Sequence, residues 1–498
     1  MAKYRSSDVT AGQVTMSVVD FKKQLLPGTF EHMLNQLIDN KIDISIFDRK
    51  YKNDTTGASA VPPAALLKLV VYGYSKGCKS SRKLSELNDN NMVAKALTGD
   101  MSIHFTTIAD FISSSSREIN DVFVKTLAYC NELGLIGGET YAIDGLRLPS
   151  NASIEMSGTE EQLKERLSVY RKMAEKHLAR HQKLDAGGEV EGEEKVHFEE
   201  RQKYLNRQIE KISGFLEGME KKMGRQGEEI KSNMTDNESA MIHSSKGYLQ
   251  GYIGIAVSDH KKQIITSAQA VGTANEGEHL PEMLDMNAEN TKEAGVKMEE
   301  GKKRAVLGDT NYFSKENLKA CEERGIRAII PDGWEKKRAS PEERPTFKYH
   351  EEEDYYECPR GKRLGCKGKT KLRQGEREIY QASLTDCKAC PDFSRCSLSK
   401  KTQDKIVQGR KLLRDKEREK ECILRDMRET QRTEEFQALY ARRIQIVEQV
   451  FANIRYCKGL DRFTLRGKKK VNTQWLLYCM VHNLGKCLNE LNERRNRA

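Results

Sequence analysis

Apolar residues recur at helical spacing through the first quarter of the chain, from Asp20 to about Leu135. Pro62 and Pro63 suit a helix start, and Leu66, Leu67, Leu69, Val70, Val71 and Tyr74 then form a broad apolar face. Gly77 breaks that run, and a second helix begins with Ser80 or Ser81 as its cap. The pattern changes at Gly137 to Leu148, where the run Tyr141-Ala-Ile-Asp-Gly-Leu-Arg-Leu148 reads as a strand bearing a carboxylate. From Thr159 to Lys231 the composition turns to Glu, Lys, Arg and Gln. Leu163, Leu167 and Tyr170, then Tyr204, Ile209, Ile212 and Phe215, recur at helical spacing on either side of the glycine-rich break Ala186–Gly192. This predicts a long helical hairpin. Its charge is a solvated face or, on a less simple reading, a clamp on DNA or a dimer contact.

Beyond the hairpin, Gly251–Ser258 and Lys262–Ser267 predict two strands joined by a tight turn at Asp259-His260. Leu280–Lys297 reads as helix, Arg304–Gly308 as a strand ending at Asp309, Ser314–Gly325 as a helix capped by Ser314, and Ile326–Pro331 as a further strand. Three strands, then helix, strand, helix and strand, is the order of an α/β fold with a ribonuclease-H-like mixed sheet. Asp332–Lys400 interrupts it with prolines, charges and cysteines, and helix resumes near Gln403. The closing stretch from Asn472 predicts an amphipathic helix packed on the core through Trp475, Leu476, Met480 and Leu484. The expected division is a helical N-terminal domain over 1–135 and an α/β core over 136–158, 232–345 and 440–498. The helical hairpin is inserted at 159–231, and a second insertion with the Cys cluster and a following helix occupies 346–439.

Composition adds little to this. The 498 residues carry a net charge of +11, with 37% hydrophobic and 32% charged residues, a balance open to a nucleic-acid partner and also usual for a soluble basic protein. The start lacks a secretory core and no run of about 18 apolar residues occurs, so the expected location is cytoplasmic, without a membrane partner. Of 12 cysteines, five cluster between Cys358 and Cys396. Cys387-Lys-Ala-Cys390 has zinc-ligand spacing, and Cys358 and Cys396 complete a four-thiolate set with Cys366 spare; reduced cysteines without metal are the alternative.

Asp144 and Asp309 each end an apolar run, and Glu448 lies on the helical stretch Tyr440–Arg455. If they converge, their oxygens form a pocket for two magnesium (or manganese) ions, hard cations that favour carboxylates over sulfur and imidazole. Asp-Gly and Gly-Asp are also common turn dipeptides, and Glu429, Glu434 and Glu435 compete with Glu448. Arg455, seven residues on, shares the face of Glu448 and can hold a phosphate or steady the glutamate. Lys79, Arg82 and Lys83 open the second helix of the pair around Gly77, which reads either as a DNA-binding helix pair or as a bundle whose lysines face water.

These motifs together resemble the DDE transposases of bacterial insertion sequences, in the class with an InsH-like helical N-terminal domain. Pro62–Tyr74 with Ser81-Arg-Lys-Leu, and His104–Phe111, are similar to the N-terminal domain. Ile143-Asp-Gly, Ser232–Ser239, Gly251–Val257 and Gly308-Asp-Thr-Asn-Tyr resemble successive blocks of the catalytic domain. Tyr440, Arg443, Glu448 and Arg455 are similar to the family's tyrosine, arginine, glutamate and lysine signature, with an arginine-to-glutamate gap one residue longer than usual and arginine in place of lysine. The resemblance implies Asp144, Asp309 and Glu448 as catalytic acids supported by Tyr440, Arg443 and Arg455. It further implies cleavage at transposon ends, transfer of the 3′-hydroxyl strand to target DNA without a covalent enzyme intermediate, a homodimer on paired ends and a nucleoid-associated bacterial protein. A non-catalytic DNA-binding derivative is the competing reading.

Overall fold

The computed structural model describes residues 18–51, 59–185, 192–224, 227–244, 247–297, 301–333, 347–350, 352–372, 375–392, 396, 408–415 and 418–497. The chain divides into two compact units: Met1–Leu135 with Asn453–Leu460 and Thr473–Ala498, and Ile136–Ala452 with Asp461–Asn472. No described helix is long and apolar enough to cross a membrane.

Among the described residues of the first unit, six α-helices run from Phe30–Asn40 to Ser116–Glu132. Pro63 opens the helix Pro63–Ser75, where its missing N–H costs nothing, and the Ser80 hydroxyl accepts from Lys83 N to start Ser81–Asn90. The helix Pro63–Ser75 is buried on every side from Ala65 to Tyr74, beyond the single face its pattern predicts. Even Lys68 lies inside, its ammonium 2.6 Å from Asp39 and 2.8 Å from Asn35. The long helix Lys468–Arg497 contributes Trp475, Leu476, Met480 and Leu484, all buried, and Tyr478 stacks on Tyr74 at 4.5 Å. From Thr473 onward that helix groups with the N-terminal helices, where the sequence reading assigned it to the sheet-bearing core. Its unbroken burial from Trp475 to Leu484 suits the middle of a helical bundle.

The second unit is built on a mixed sheet of β1 (Thr140–Pro149), β2 (Ala240–Ser244), β3 (Gly247–Asp259), β4 (Ile265–Val271), β5 (Ala305–Leu307) and β6 (Arg327–Ile329). β3 pairs antiparallel with β1, β2 and β4, while β1, β5 and β6 are parallel, the ribonuclease-H-like arrangement. Tyr141 and Ile143 join Ile253, Ile255 and Val257 in one core, against Met283 of the helix Leu280–Glu293 and Leu318 of Lys315–Glu323. Ser314 caps the latter through Asn317 N, as its sequence predicts.

The hairpin helices are Glu160–Asp185 and Gly192–Glu217, with Leu163, Leu167 and Ile212 at their core and Tyr170, Ile209 and Phe215 packed against it. The glycine-rich break between them lies largely outside the described residues. Leu205 takes the inward position and Tyr204 faces solvent. In place of an irregular insertion, a second antiparallel sheet forms from β7 (Lys348–His350), β8 (Tyr355–Glu357), β9 (Arg363–Leu372), β10 (Gly375–Ala382) and β11 (Lys411–Asp415). Its small core is Leu364, Tyr380, Ala382 and Cys387.

Candidate active site

Parallel pairing brings the two aspartates together. β1 and β5 are in register only from Thr140 with Ala305 to Ala142 with Leu307, so Asp144 and Asp309 each stand two residues past the end of that ladder. Asp144 is not in a turn, because β1 continues against β3 with Asp144 opposite Ala256. Strand alternation puts it on the face opposite Ile143. Asp309 caps the single turn Thr310–Tyr312: its Oδ1 accepts from Asn311 N at 2.8 Å and its Oδ2 from Asn311 Nδ2 at 3.1 Å.

A third acid meets them that the sequence reading passed over. Glu276 lies in the polar loop after β4, and one oxygen from each of Asp144, Glu276 and Asp309 falls within 4.8 Å of the others, the only such group of metal-ligand side chains among the described residues. Its signal was faint: one glutamate before a glycine, in a stretch with no apolar pattern and with Glu278 and Glu282 close by. Gly145 makes room for it, since a Cβ there would lie 2.3 Å from Glu276 Oε2.

Two arginines balance the cluster. Arg443 donates to Asp144 Oδ2 at 2.6 Å, and Gly145 N donates to Oδ1 at 2.8 Å. Arg147 donates to Glu276 Oε1 at 3.1 Å, where Asn311 Nδ2 also donates at 2.9 Å. Burial still dominates: it pushes the Asp144 carboxyl up to about 6, with Arg443 opposing and Asp309 and Glu448 adding to the rise. Burial likewise pushes Glu276 up to about 7 against the pull of Arg147. Such an all-oxygen, partly desolvated donor set fits a hard divalent cation.

Glu448 is exposed and stands outside the close group, yet near enough to act on Asp144 electrostatically. It closes a π-helical turn, Ile444–Glu448, that packs against β1 and β3. A π turn accommodates one extra residue in a helix, which accounts for the long spacing from Arg443 to Glu448. Burial raises the Tyr440 phenol, Arg443 opposes, and Asp309 and Asp144 add to the rise, so Tyr440 also borders the acids. Arg455 lies in a second π turn, Asn453–Cys457, grouped with the first unit; its guanidinium sits 5.7 Å from the Tyr456 ring centre.

Residues 357–488 match a family model described as Transposase DDE domain, and residues 19–114 match one described as Transposase domain (DUF772). The two matches indicate a DDE transposase of the insertion-sequence type. No curated protein matches it. The DDE match begins one residue before Cys358 and contains β9, β10, β11 and Glu448.

The other expected transposase residues have these surroundings. Lys79 Nζ donates to the Gly459 carbonyl at 3.3 Å; Arg82 lies 5.1 Å from the Phe105 ring centre; Lys83 is exposed. The cysteines gather at the end of the small sheet: Cys358 Sγ accepts from Lys362 N and Cys387 Sγ from Arg410 N, each at 3.3 Å. Burial pushes the Cys396 thiol up, Arg410 opposes, and Cys387, Cys390 and Cys358 add to the rise, which makes the four neighbours. No three of these sulfurs lie within 4.8 Å of one another among the described residues.

Proposed function

We propose that this transposase cuts phosphodiester bonds at the ends of its element and joins the freed 3′-hydroxyl strand to target DNA, acting on double-stranded DNA as a homodimer. The observation that supports it is the gathering of Asp144, Glu276 and Asp309 from separate elements around one point. Magnesium or manganese ions, when bound, would supply activation of the attacking oxygen and stabilisation of the leaving one. Asp144, Asp309 and Glu448 are the residues that would hold them, Asp144 as the common ligand.

The chain's own residues supply positioning. Arg443 and Gly145 N fix the two oxygens of Asp144, and Asn311 fixes both oxygens of Asp309, so neither carboxylate has to reorganise as charge develops. Arg147 is partly exposed and could reach a phosphate oxygen while its aliphatic stem stays in place. Lys79, Arg82 and Lys83 are the proposed phosphate contacts of the helical unit.

The test is incubation of the full chain with a plasmid carrying both element ends and Mg2+. Nicks with 3′-hydroxyl termini followed by joined products are the expected result. Tight binding with no strand break would make the chain a DNA-binding protein that has lost the chemistry.

We also propose a structural zinc ion held by Cys358, Cys387, Cys390 and Cys396. Backbone N–H groups donate to two of the sulfurs, and small domains of this kind gain folding energy from a bound metal. Elemental analysis of the purified protein should find one zinc per chain, lost together with the order of the small sheet in Cys387→Ser. A full-length preparation without zinc and with an unchanged melting profile in chelator would rule this out.

A further inference from the structure

We infer that Glu276 is a metal-binding carboxylate, engaged before DNA arrives, and that Glu448 joins the ion set only with substrate. The inference rests on the metal-dependent reading of the site. Three observations converge on it.

First, the close group of ligand oxygens contains Glu276 and leaves out the exposed Glu448. A cation entering the free protein therefore meets Asp144, Glu276 and Asp309 already assembled.

Second, the two Glu276 oxygens differ. The residue is 2% exposed, Oε1 accepts from Arg147 and Asn311, and Oε2 is buried with no hydrogen-bond partner among the described residues. Buried carboxylate oxygens are almost always satisfied, and one left open beside two aspartates has the chemistry of a cation ligand. A purely structural Arg147–Glu276 pair would account for Oε1 and leave Oε2 unexplained.

Third, the surroundings are shaped for this carboxylate. A Cβ at Gly145 would fall 2.3 Å from Oε2, and one at Gly277 would fall 2.3 Å from the Asn311 carbonyl oxygen. The two glycines let the loop bring its glutamate against β1 while Asn311 bridges it to Asp309.

Arg147 on Oε1 is then a counterion that shares the charge of this carboxylate with a cation entering at Oε2, so the two compete for one negative charge. Mn2+ binding to the full-length, DNA-free protein, read by electron paramagnetic resonance, tests this with opposite signs. Glu276→Gln should weaken Mn2+ binding at least about tenfold, Arg147→Ala should tighten it, and Glu448→Gln should leave it within about threefold. If Asp309→Asn weakens binding and Glu276→Gln does not, Glu276 is no ligand and the inference falls alone. If the parent protein binds no Mn2+, or Asp309→Asn binds as well as the parent, the reading of the whole site falls. Arg147→Ala keeps every carboxylate and decides the matter if Glu276→Gln folds poorly: unchanged or weaker binding in it would overturn the competition.

Discussion

Asp144→Asn and Asp309→Asn are each expected to lower strand cleavage by more than about 10³-fold, the upper end of what one preorganised stabilising group contributes. The substitution keeps shape and removes charge. Asparagine at either position keeps one oxygen, for Gly145 N in one case and Asn311 N in the other, and loses the second acceptor, a change the backbone hydrogen bond at each site should let the fold survive. For Asp144 the relief of a carboxylate pushed up to about 6 by burial offsets the loss of the Arg443 pair, so the melting temperature should change little. DNA binding should change little, since both groups carry negative charge and are not phosphate contacts. The combination of lost cleavage, retained binding and retained melting temperature is the signature to seek. Cleavage that persists in both variants would remove the acids from the chemistry.

The second large effect is at Arg443. Its guanidinium is buried and lies 2.6 Å from Asp144 Oδ2, so Arg443→Ala leaves that carboxylate without its main counter-charge. Breaking one side of a buried pair costs about 3 kcal/mol or more, and losing a group that orients a metal ligand costs about 10- to 100-fold in affinity or activity. The sign of the pH effect follows from the site. Arg443 holds the Asp144 carboxyl down; without it the carboxyl titrates above about 6, and the pH at which the site becomes able to take a cation rises. The acidic limb of the cleavage profile should therefore move to higher pH in Arg443→Ala, and Arg443→Lys should recover part of the shift. A profile that falls in height without moving would mean Arg443 acts on DNA and leaves Asp144 alone.

What the sequence discloses here follows from how each residue is held. Asp144 and Asp309 are legible because each follows a short apolar run in the same sheet, and parallel pairing then carries both to one end. Glu276 is hidden because a polar loop delivers it, and only the glycine at 145 and the asparagine at 311 give it a place. Glu448 could be chosen by its helical context, but its odd spacing from Arg443 becomes intelligible only with the π turn. The small sheet is hidden because its strands are rich in charged residues and pack around a core of only a few buried side chains. In the hairpin, Tyr204 and Leu205 show the usual one-residue ambiguity where two adjacent apolar side chains compete for one inward position.

Anomalous diffraction from crystals of the full-length protein grown with Mn2+ measures the central claim most directly. A manganese peak is expected within coordinating distance of both Asp144 and Asp309, about 2 to 2.5 Å from their oxygens. Well-ordered carboxylates with manganese bound elsewhere and none between them would contradict it.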